Sequence, residues 1–360
     1  MSYQLLYTIT NQILAYVSSI SEKIGNISAT HNLESKTHLR RNNRIRSIHS
    51  SLKIEANSLS LGQVRDVING KIVLGKQKEI QEVKNAFDAY ERIKEIDPYD
   101  IEELKKSHGI MTKYVVDISG EFRNSDEGFF DDRGRCIFIA PPPYLVDISG
   151  EFRNSDEEVF DDQGRCIFIA PPPYLVPSLM DDLFNWMQDE KDNTHPLILS
   201  CIFHYEFVFI HPFCDGNGRI ARLWHTTLLS KWKPIFEYIP LESQIEKFQD
   251  DYYSVIAKCH VLGESTLFIE FMLSQIDKIL DDISKQVNED IEQIDPNIKK
   301  LLDVMEDDVS YSSNELMQKL NLKAKEGFRR NYLRPAIDQN LIYMTIPDKP
   351  KSKNQRYIKV

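Results

Sequence analysis

Cysteine is scarce in this chain and unpatterned. Five occur in 360 residues (Cys136, Cys166, Cys201, Cys214 and Cys259), with no C-x-x-C pair, which excludes a zinc ribbon or a disulfide framework and leaves reduced, packed thiols. Long apolar runs are missing too. No window offers about 18 uninterrupted apolar residues, and the opening MSYQLLYTITNQILAYVSSI lacks a basic stretch. Neither a membrane span nor a signal peptide is expected, so the expected setting is the cytosol, without a membrane partner. Positive charge is in deficit: 44 Lys and Arg stand against 55 Asp and Glu, a formal net charge of −11. That balance argues against nonspecific nucleic-acid binding by the molecule as a whole. The deficit reverses at the end of the chain, where eleven Lys or Arg between Lys319 and Val360 face three acids, Glu326, Asp338 and Asp348. A basic module follows an acidic body.

With 41% hydrophobic residues the chain can bury a sizeable core, and its length favours two or three domains. Residues 1–96 are helical in pattern, with polar breaks at Gly25-Asn26 and Ser35-Lys36 and apolar residues at three- and four-residue steps through 75–96. A central region, 97–285, follows Asp97-Pro98. The tail, residues 295–360, reads as helices over Ile298–Met305, Asn314–Leu320 and Glu326–Gln339, then two short strands around a polar loop in LIYMTIPDKPKSKNQRYIKV. Three helices and a two-stranded wing form a winged helix-turn-helix pattern. Arg329, Arg330 and Arg334 on its third helix, with Lys349, Lys351, Lys353 and Arg356 on the wing, make DNA a candidate partner, and a protein partner the alternative.

The central region contains a tandem repeat. DISGEFRNSDEGFFDDRGRCIFIAPPPYLV (117–146) is followed at once by DISGEFRNSDEEVFDDQGRCIFIAPPPYLV (147–176), and the copies differ only at Gly128/Glu158, Phe129/Val159 and Arg133/Gln163. Two near-identical units indicate a tandem duplication of one element rather than a solenoid. Each reads as a β-hairpin: Asp-Asp-x-Gly makes a turn, Arg-Cys-Ile-Phe-Ile is β-prone, and three prolines stop it. Only the second copy runs into PSLMDDLFNWM, a helix with Pro177 in its first turn, so the second copy is expected to be the integrated one.

Residues 211–222 read HPFCDGNGRIAR. Gly-Asn-Gly between apolar runs is a tight turn that opens a helix, so its backbone N–H groups and the helix dipole converge on one point, an anion cradle. Arg219 and Arg222, three apart, extend the cradle over a polyphosphate. Asp215 offers a hard oxygen ligand for Mg2+, and His211 is a group able to take a proton from an attacking hydroxyl near neutral pH. Singly, each has a bland structural reading. Together they are the parts needed to transfer a phosphate-containing group.

HPFCDGNGRIAR resembles the HxFx(D/E)GNGRxxR signature of Fic-domain proteins at every fixed position. The resemblance implies a mostly α fold, a helical core with a small β-hairpin flap, here duplicated, and a C-terminal winged helix as in some bacterial members. It implies transfer of AMP from ATP to Ser, Thr or Tyr hydroxyls of target proteins. By it His211 is the general base, Asp215 holds Mg2+, Gly216, Asn217 and Gly218 bind the α- and β-phosphates, and Arg219 and Arg222 contact the β- and γ-phosphates. RIRSIHSSLKIEANSLSLGQV (44–64) resembles the family's inhibitory segment, (S/T)xxxE(G/N), with Ser51 and Glu55 in the matching places and Ala56 where Gly or Asn is usual. That glutamate is expected to pair with Arg222 and block the γ-phosphate. The repeated hairpin occupies the place of the flap, which orders a target segment by strand addition. Removal of AMP, another nucleotide donor, and a DNA-binding regulator with the Fic core as ligand sensor are the alternatives.

Overall fold

The computed structural model describes residues 5–30, 37–116, 119–124, 129–130, 136–138, 171–293, 295–306, 309–338, 341–346, 349–350 and 352–359. Two compact units are present: Met1–Glu22 with Asn43–Leu280, and Lys23–Asn42 with Asp281–Val360. No helix among the described residues is long and apolar enough to cross a membrane.

Helices α1 (Asn11–Thr30), α2 (Thr37–Ile54), α3 (Leu61–Ile68), α4 (Gln77–Glu91) and α5 (Ile101–Met111) come first. The break expected at Gly25-Asn26 is absent, since α1 runs through it. Ile13, Ile20, Ile24 and Ile27, spaced by seven, four and three, are all buried, and their burial outweighs the roughly 1 kcal/mol that a mid-helix glycine costs. Further on lie β1 (Phe129–Phe130), β2 (Cys136–Phe138), α6 (Val176–Glu190), α7 (Pro196–Ile210), α8 (Asn217–Trp232), α9 (Leu241–Lys247), α10 (Gln249–Leu262) and α11 (Thr266–Gln293).

The centre of the first unit is the pair α7 and α8. Twelve of the fifteen residues of α7 are buried, so this helix is apolar nearly all round, as expected of one enclosed by others. It starts at His195, whose Nδ1 accepts from the Leu197 amide, with Pro196 in the first position where its missing N–H costs nothing. Phe203, Phe207, Leu223 and Trp224 lock the two helices together, and Trp224 donates its indole N–H to the Pro98 carbonyl at 3.0 Å.

Within the repeat, β1 pairs antiparallel with β2, with Phe129 opposite Phe138 and Phe130 opposite Cys136. The described hairpin strands belong to the first copy; the second copy up to residue 170, on which the expectation of the integrated copy falls, lies outside the described residues. Pro171 onward, the end of the second copy, runs through a short 3-10 turn (Pro173–Leu175) into α6. Residues 139–170 lie outside the described residues. Each copy thus supplies one border of the element.

The second unit contains α12 (Pro296–Asp303), β3 (Ser310–Ser312), α13 (Ser313–Lys319), α14 (Lys325–Phe328), a π turn (Arg329–Leu333), α15 (Arg334–Asp338), β4 (Ile342–Met344) and β5 (Arg356–Lys359). Its antiparallel sheet has the order β3-β5-β4, and Ile298, Leu301, Leu316, Phe328, Leu333, Ile342 and Tyr357 form its core. Two of these strands follow the sequence expectation. The third, β3, has a Ser-Tyr-Ser sequence that signals no strand, and it forms because Tyr311 buries itself opposite Tyr357 of β5. Ser312 then caps α13, closing a capping box with Glu315.

Candidate active site

The loop between α7 and α8 is held open by its own residues. His211 ends α7 in the left-handed region (φ 51°, ψ 58°), its amide bonded to the Phe207 carbonyl, and Pro212 prevents the helix from continuing. The Asn217 side chain grips Phe213 twice, accepting from its amide at 2.9 Å and donating to its carbonyl at 2.6 Å. The side chain is thus turned back onto the loop, and the backbone amide of Asn217 faces the start of α8. Gly216 caps α8 with φ 83°, and a Cβ there would lie 2.9 Å from the Thr112 methyl, so the position requires glycine on both counts. The first helical bond of α8 runs from Ile220 to Gly216, which leaves the amides of Asn217, Gly218 and Arg219 without helical acceptors. These are the donors of the anion cradle.

The end of α2 lies on this cradle. Asn57 N–H bonds to the Leu52 carbonyl at 3.1 Å and Ala56 N–H to the Lys53 carbonyl at 3.0 Å, the Schellman pattern, which forces Ala56 into the left-handed region at φ 63°. This turn projects Glu55 toward α8. Its Oε1 accepts from Arg222 Nη2 at 2.7 Å, while Ser51 gives Arg222 two further acceptors, its hydroxyl at 3.1 Å and its carbonyl at 3.0 Å. A Cβ on Gly218 would stand 2.5 Å from Glu55 Oε1, so the carboxylate occupies the space directly over the first turn of α8. Arg222 is buried; desolvation would lower its pKa, but the charge and hydrogen bond of Glu55, together with Tyr252 and Tyr253, more than reverse this, raise it and hold the guanidinium charged. A ladder of polar bonds fixes α2 in this register: Asn43 to the Tyr238 carbonyl, Ser47 to Glu242, Lys53 to Glu246, and Gln249 to the Ile54 carbonyl.

His211 is buried, and burial first, then the Arg123 charge, lowers its pKa to about 4 against opposing effects of the Val208 carbonyl, Glu55 and Asp215. It is neutral at physiological pH, the form that accepts a proton. Asp215 is half-exposed, and its Oδ1 accepts from the Gly216 amide at 2.5 Å and from Arg219 Nη2 at 2.9 Å. Arg219 is buried between Asp215 and Glu82, whose Oε1 lies 3.7 Å from Nη1. One half-exposed carboxylate beside a helix N-terminus suits Mg2+, which takes its remaining ligands from phosphates and water. Among the described residues no cluster of three or more His, Cys, Asp or Glu occurs.

Residues 211–222, Ser51 and Glu55 are thus brought together as the sequence reading expects. Three more residues were missed. Glu82 joins Arg219 to the Asn57 side chain. Arg123, in the GEFR of the first repeat, donates from Nε to the His211 carbonyl at 2.7 Å and from its amide to the Pro212 carbonyl at 2.8 Å, and its Nη2 reaches the Pro171 carbonyl. His108 on α5 contacts both the loop and the start of the repeat. No spacing signal in the sequence marked any of the three.

A crystal structure of a Fic family protein from Desulfovibrio desulfuricans G20 is 39% identical, covers 99% of this chain and 98% of that one, and superposes with a TM-score of 0.68. The chain belongs to the Fic family. The Fic/DOC family model matches residues 98–229, and that of the Filamentation induced by cAMP protein Fic-like, C-terminal domain, matches residues 296–358. Among curated relatives, the protein adenylyltransferase Fic of Drosophila mojavensis is 27% identical over 281 residues, covering 74% of this chain and 46% of that protein. Protein adenylyltransferase fic-1 of Caenorhabditis elegans is 25% identical over 239 residues, 62% of this chain and 38% of that one. The chain spans less than half the length of these two Fic relatives. A structure of Fic-1 from Caenorhabditis elegans shares the fold, with a TM-score of 0.58 at 19% identity, over 77% of this chain and 73% of that one.

Proposed function

We propose that this Fic protein is an autoinhibited adenylyltransferase that moves AMP from ATP to Ser, Thr or Tyr hydroxyls of target proteins. The observation that carries the reading is the Glu55 carboxylate over Gly218, an anion seated on a helix N-terminus with the neutral, buried His211 at the other end of the loop. In the transfer, the target oxygen bonds to the α-phosphorus, the bond to the β-phosphate oxygen breaks, pyrophosphate leaves, and His211 takes the hydroxyl proton. The amides of Asn217, Gly218 and Arg219 bind phosphate oxygens, and Asp215 would hold Mg2+, which supplies charge neutralisation at the phosphates. The place of the Glu55 carboxylate on Arg222 and over Gly218 cannot be taken by Glu55 and by a phosphate together. Displacing Glu55 is therefore part of productive binding.

Incubation with labelled ATP and Mg2+, followed by mass spectrometry for AMP on the protein itself and on added proteins, tests both halves. Glu55→Gly should incorporate AMP at least about tenfold faster than the unsubstituted protein, because a competition of a few kcal/mol sets the population of the productive pose. Equal rates would discard the inhibitory role, and absence of AMP transfer in both would discard the transferase reading.

A second reading concerns the C-terminal unit. Lys323, Lys325, Arg329, Arg330 and Arg334 are all exposed, a distribution that supports duplex DNA as the partner of this winged-helix module. Titration of the full chain with duplex DNA should show log K falling with log salt, and replacing Arg329 and Arg330 by alanine should reduce that slope by about two. No binding at low salt would point to a protein partner instead.

A further inference from the structure

His108 lies on α5, far in sequence from the motif, and both of its ring nitrogens are in use. Nδ1 accepts from the Gly120 amide at 2.9 Å, so Nδ1 carries no proton; Nε2 carries it and donates to the Asp215 carbonyl at 2.8 Å. The ring stacks on Phe213 with centroids 3.7 Å apart and planes 5° from parallel. Gly120 is brought this close because it packs against a second glycine, Gly109, on α5; a Cβ on Gly120 would meet the Lys105 carbonyl at 3.2 Å and Gly109 Cα at 3.5 Å. Ser119 adds bonds to Thr112 and to the Gly109 carbonyl.

We infer that His108 is a positioning residue that joins the start of the flap to the phosphate cradle, so that the target hydroxyl and the nucleotide are held in one frame. Two relays leave its ring. Through Nε2, the Asp215 carbonyl is fixed; the Gly216 amide belongs to the same peptide plane and donates to Asp215 Oδ1, so the imidazole sets the direction of the carboxylate assigned to Mg2+. Through Nδ1, Gly120 is fixed, and three residues later Arg123 holds the His211 and Pro212 carbonyls. The loop 211–215 is thereby gripped at three carbonyls by groups that also anchor the first repeat. Only the neutral ring with its proton on Nε2 makes both bonds.

The kinetic consequence rests on the adenylyltransferase reading, but the bridge itself does not, and the test separates them. His108→Phe keeps the ring and its stacking on Phe213 and loses both hydrogen bonds; His108→Gln loses the ring and keeps one acceptor and one donor. Exchange of the Gly120 amide with deuterium, measured without nucleotide, reads the bridge directly. Protection in the unsubstituted protein should fall at least about tenfold in His108→Phe and largely return in His108→Gln. In the Glu55→Gly background, kcat for AMP transfer should follow the same order, with a loss of about tenfold or more in His108→Phe, while the calorimetric Kd for ATP changes by less than about threefold. A Gly120 amide that exchanges freely in the unsubstituted protein would overturn the bridge without recourse to any variant. So would His108→Gln behaving no better than His108→Phe, the outcome of a purely packing role. Protection in the expected order without AMP transfer in any variant would sustain the bridge and reject the reaction.

Discussion

On one side of the first turn of α8, α2 presents a carboxylate to Arg222 and Gly218; on the other, α5 and the first repeat present a neutral imidazole and a guanidinium to backbone carbonyls. The two contacts differ in what can replace them. A phosphate oxygen offers Arg222 an anionic acceptor of the same kind as Glu55 Oε1, so the α2 contact lies in direct competition with an anionic ligand. Nothing in a nucleotide competes for the Asp215, His211 and Pro212 carbonyls, so the other contact persists through binding. One site thus carries an exchangeable restraint and a permanent one, and only the exchangeable restraint pairs two opposite charges.

Removing chemistry while sparing both contacts has the largest expected effect. His211→Ala in the Glu55→Gly protein should lower AMP incorporation by about 10²- to 10⁴-fold with the calorimetric Kd for ATP within a few-fold of its parent, since a base acts in the transition state. An undiminished rate would remove His211 from the mechanism. Sharpening the exchangeable contact comes next. Ala56 sits at φ 63°, where a Cβ costs about 1 kcal/mol, so Ala56→Gly should set Glu55 more firmly and lower the basal rate of the otherwise unsubstituted protein about fivefold. A higher basal rate in this variant would mean that the turn does not govern the restraint.

The pH dependence probes the two contacts at the atom between them. A histidine of ordinary pKa is only about one quarter neutral at pH 6, a loss of about fourfold, whereas His211, lowered to about 4, stays neutral there. The rate of the Glu55→Gly enzyme should therefore be flat from pH 8 to 6, and removal of the Glu55 charge, which opposes the shift, only deepens it. The sign for stability is the same. The unfolded chain binds a proton near pH 6.5 and the folded chain only near 4, so this contribution is full above 6.5 and is lost as the pH falls toward 4, which acid unfolding curves of the unsubstituted protein and His211→Ala would register. The smallest expected effect is that of deleting residues 117–146. The second copy brings an identical DISGEFR to the end of α5, so Arg153 takes the place of Arg123, and the rate should stay within about twofold. A large loss of rate, or of soluble protein, would show that the permanent contact needs both copies.

The parts of this site that were legible are those encoded by spacing along one segment. The cradle, Asp215, His211 and the two arginines lie within twelve residues, so local geometry places them, whereas Ser51 and Glu55, 171 and 167 residues from Arg222, were tied to it only by the family resemblance. Arg123, Glu82 and His108 join the site across 88, 137 and 107 residues, distances over which no periodicity operates. The helical pattern of residues 1–96 was read from apolar periodicity, and the helical core from the family resemblance. Which copy is integrated could not be read in that way, because near-identical copies have near-identical propensities. The continuity of α1 through Gly25 and the strand β3 came from tertiary burial overriding weak local preferences.

Gly218 has a consequence for genetics. A methyl group there would collide with Glu55 Oε1, the movable end of a flexible side chain, so even alanine at 218 expels the carboxylate and lifts the restraint. The same methyl would stand where phosphate oxygens must approach the α8 amides, and the released protein would be disabled by the change that released it. Arg222 is tied in the same way, since its loss frees Glu55 and deprives the nucleotide of its partner. A selection for hyperactive alleles should therefore return substitutions on the α2 side, at Ser51, Glu55 and the turn that carries them, and none in the motif.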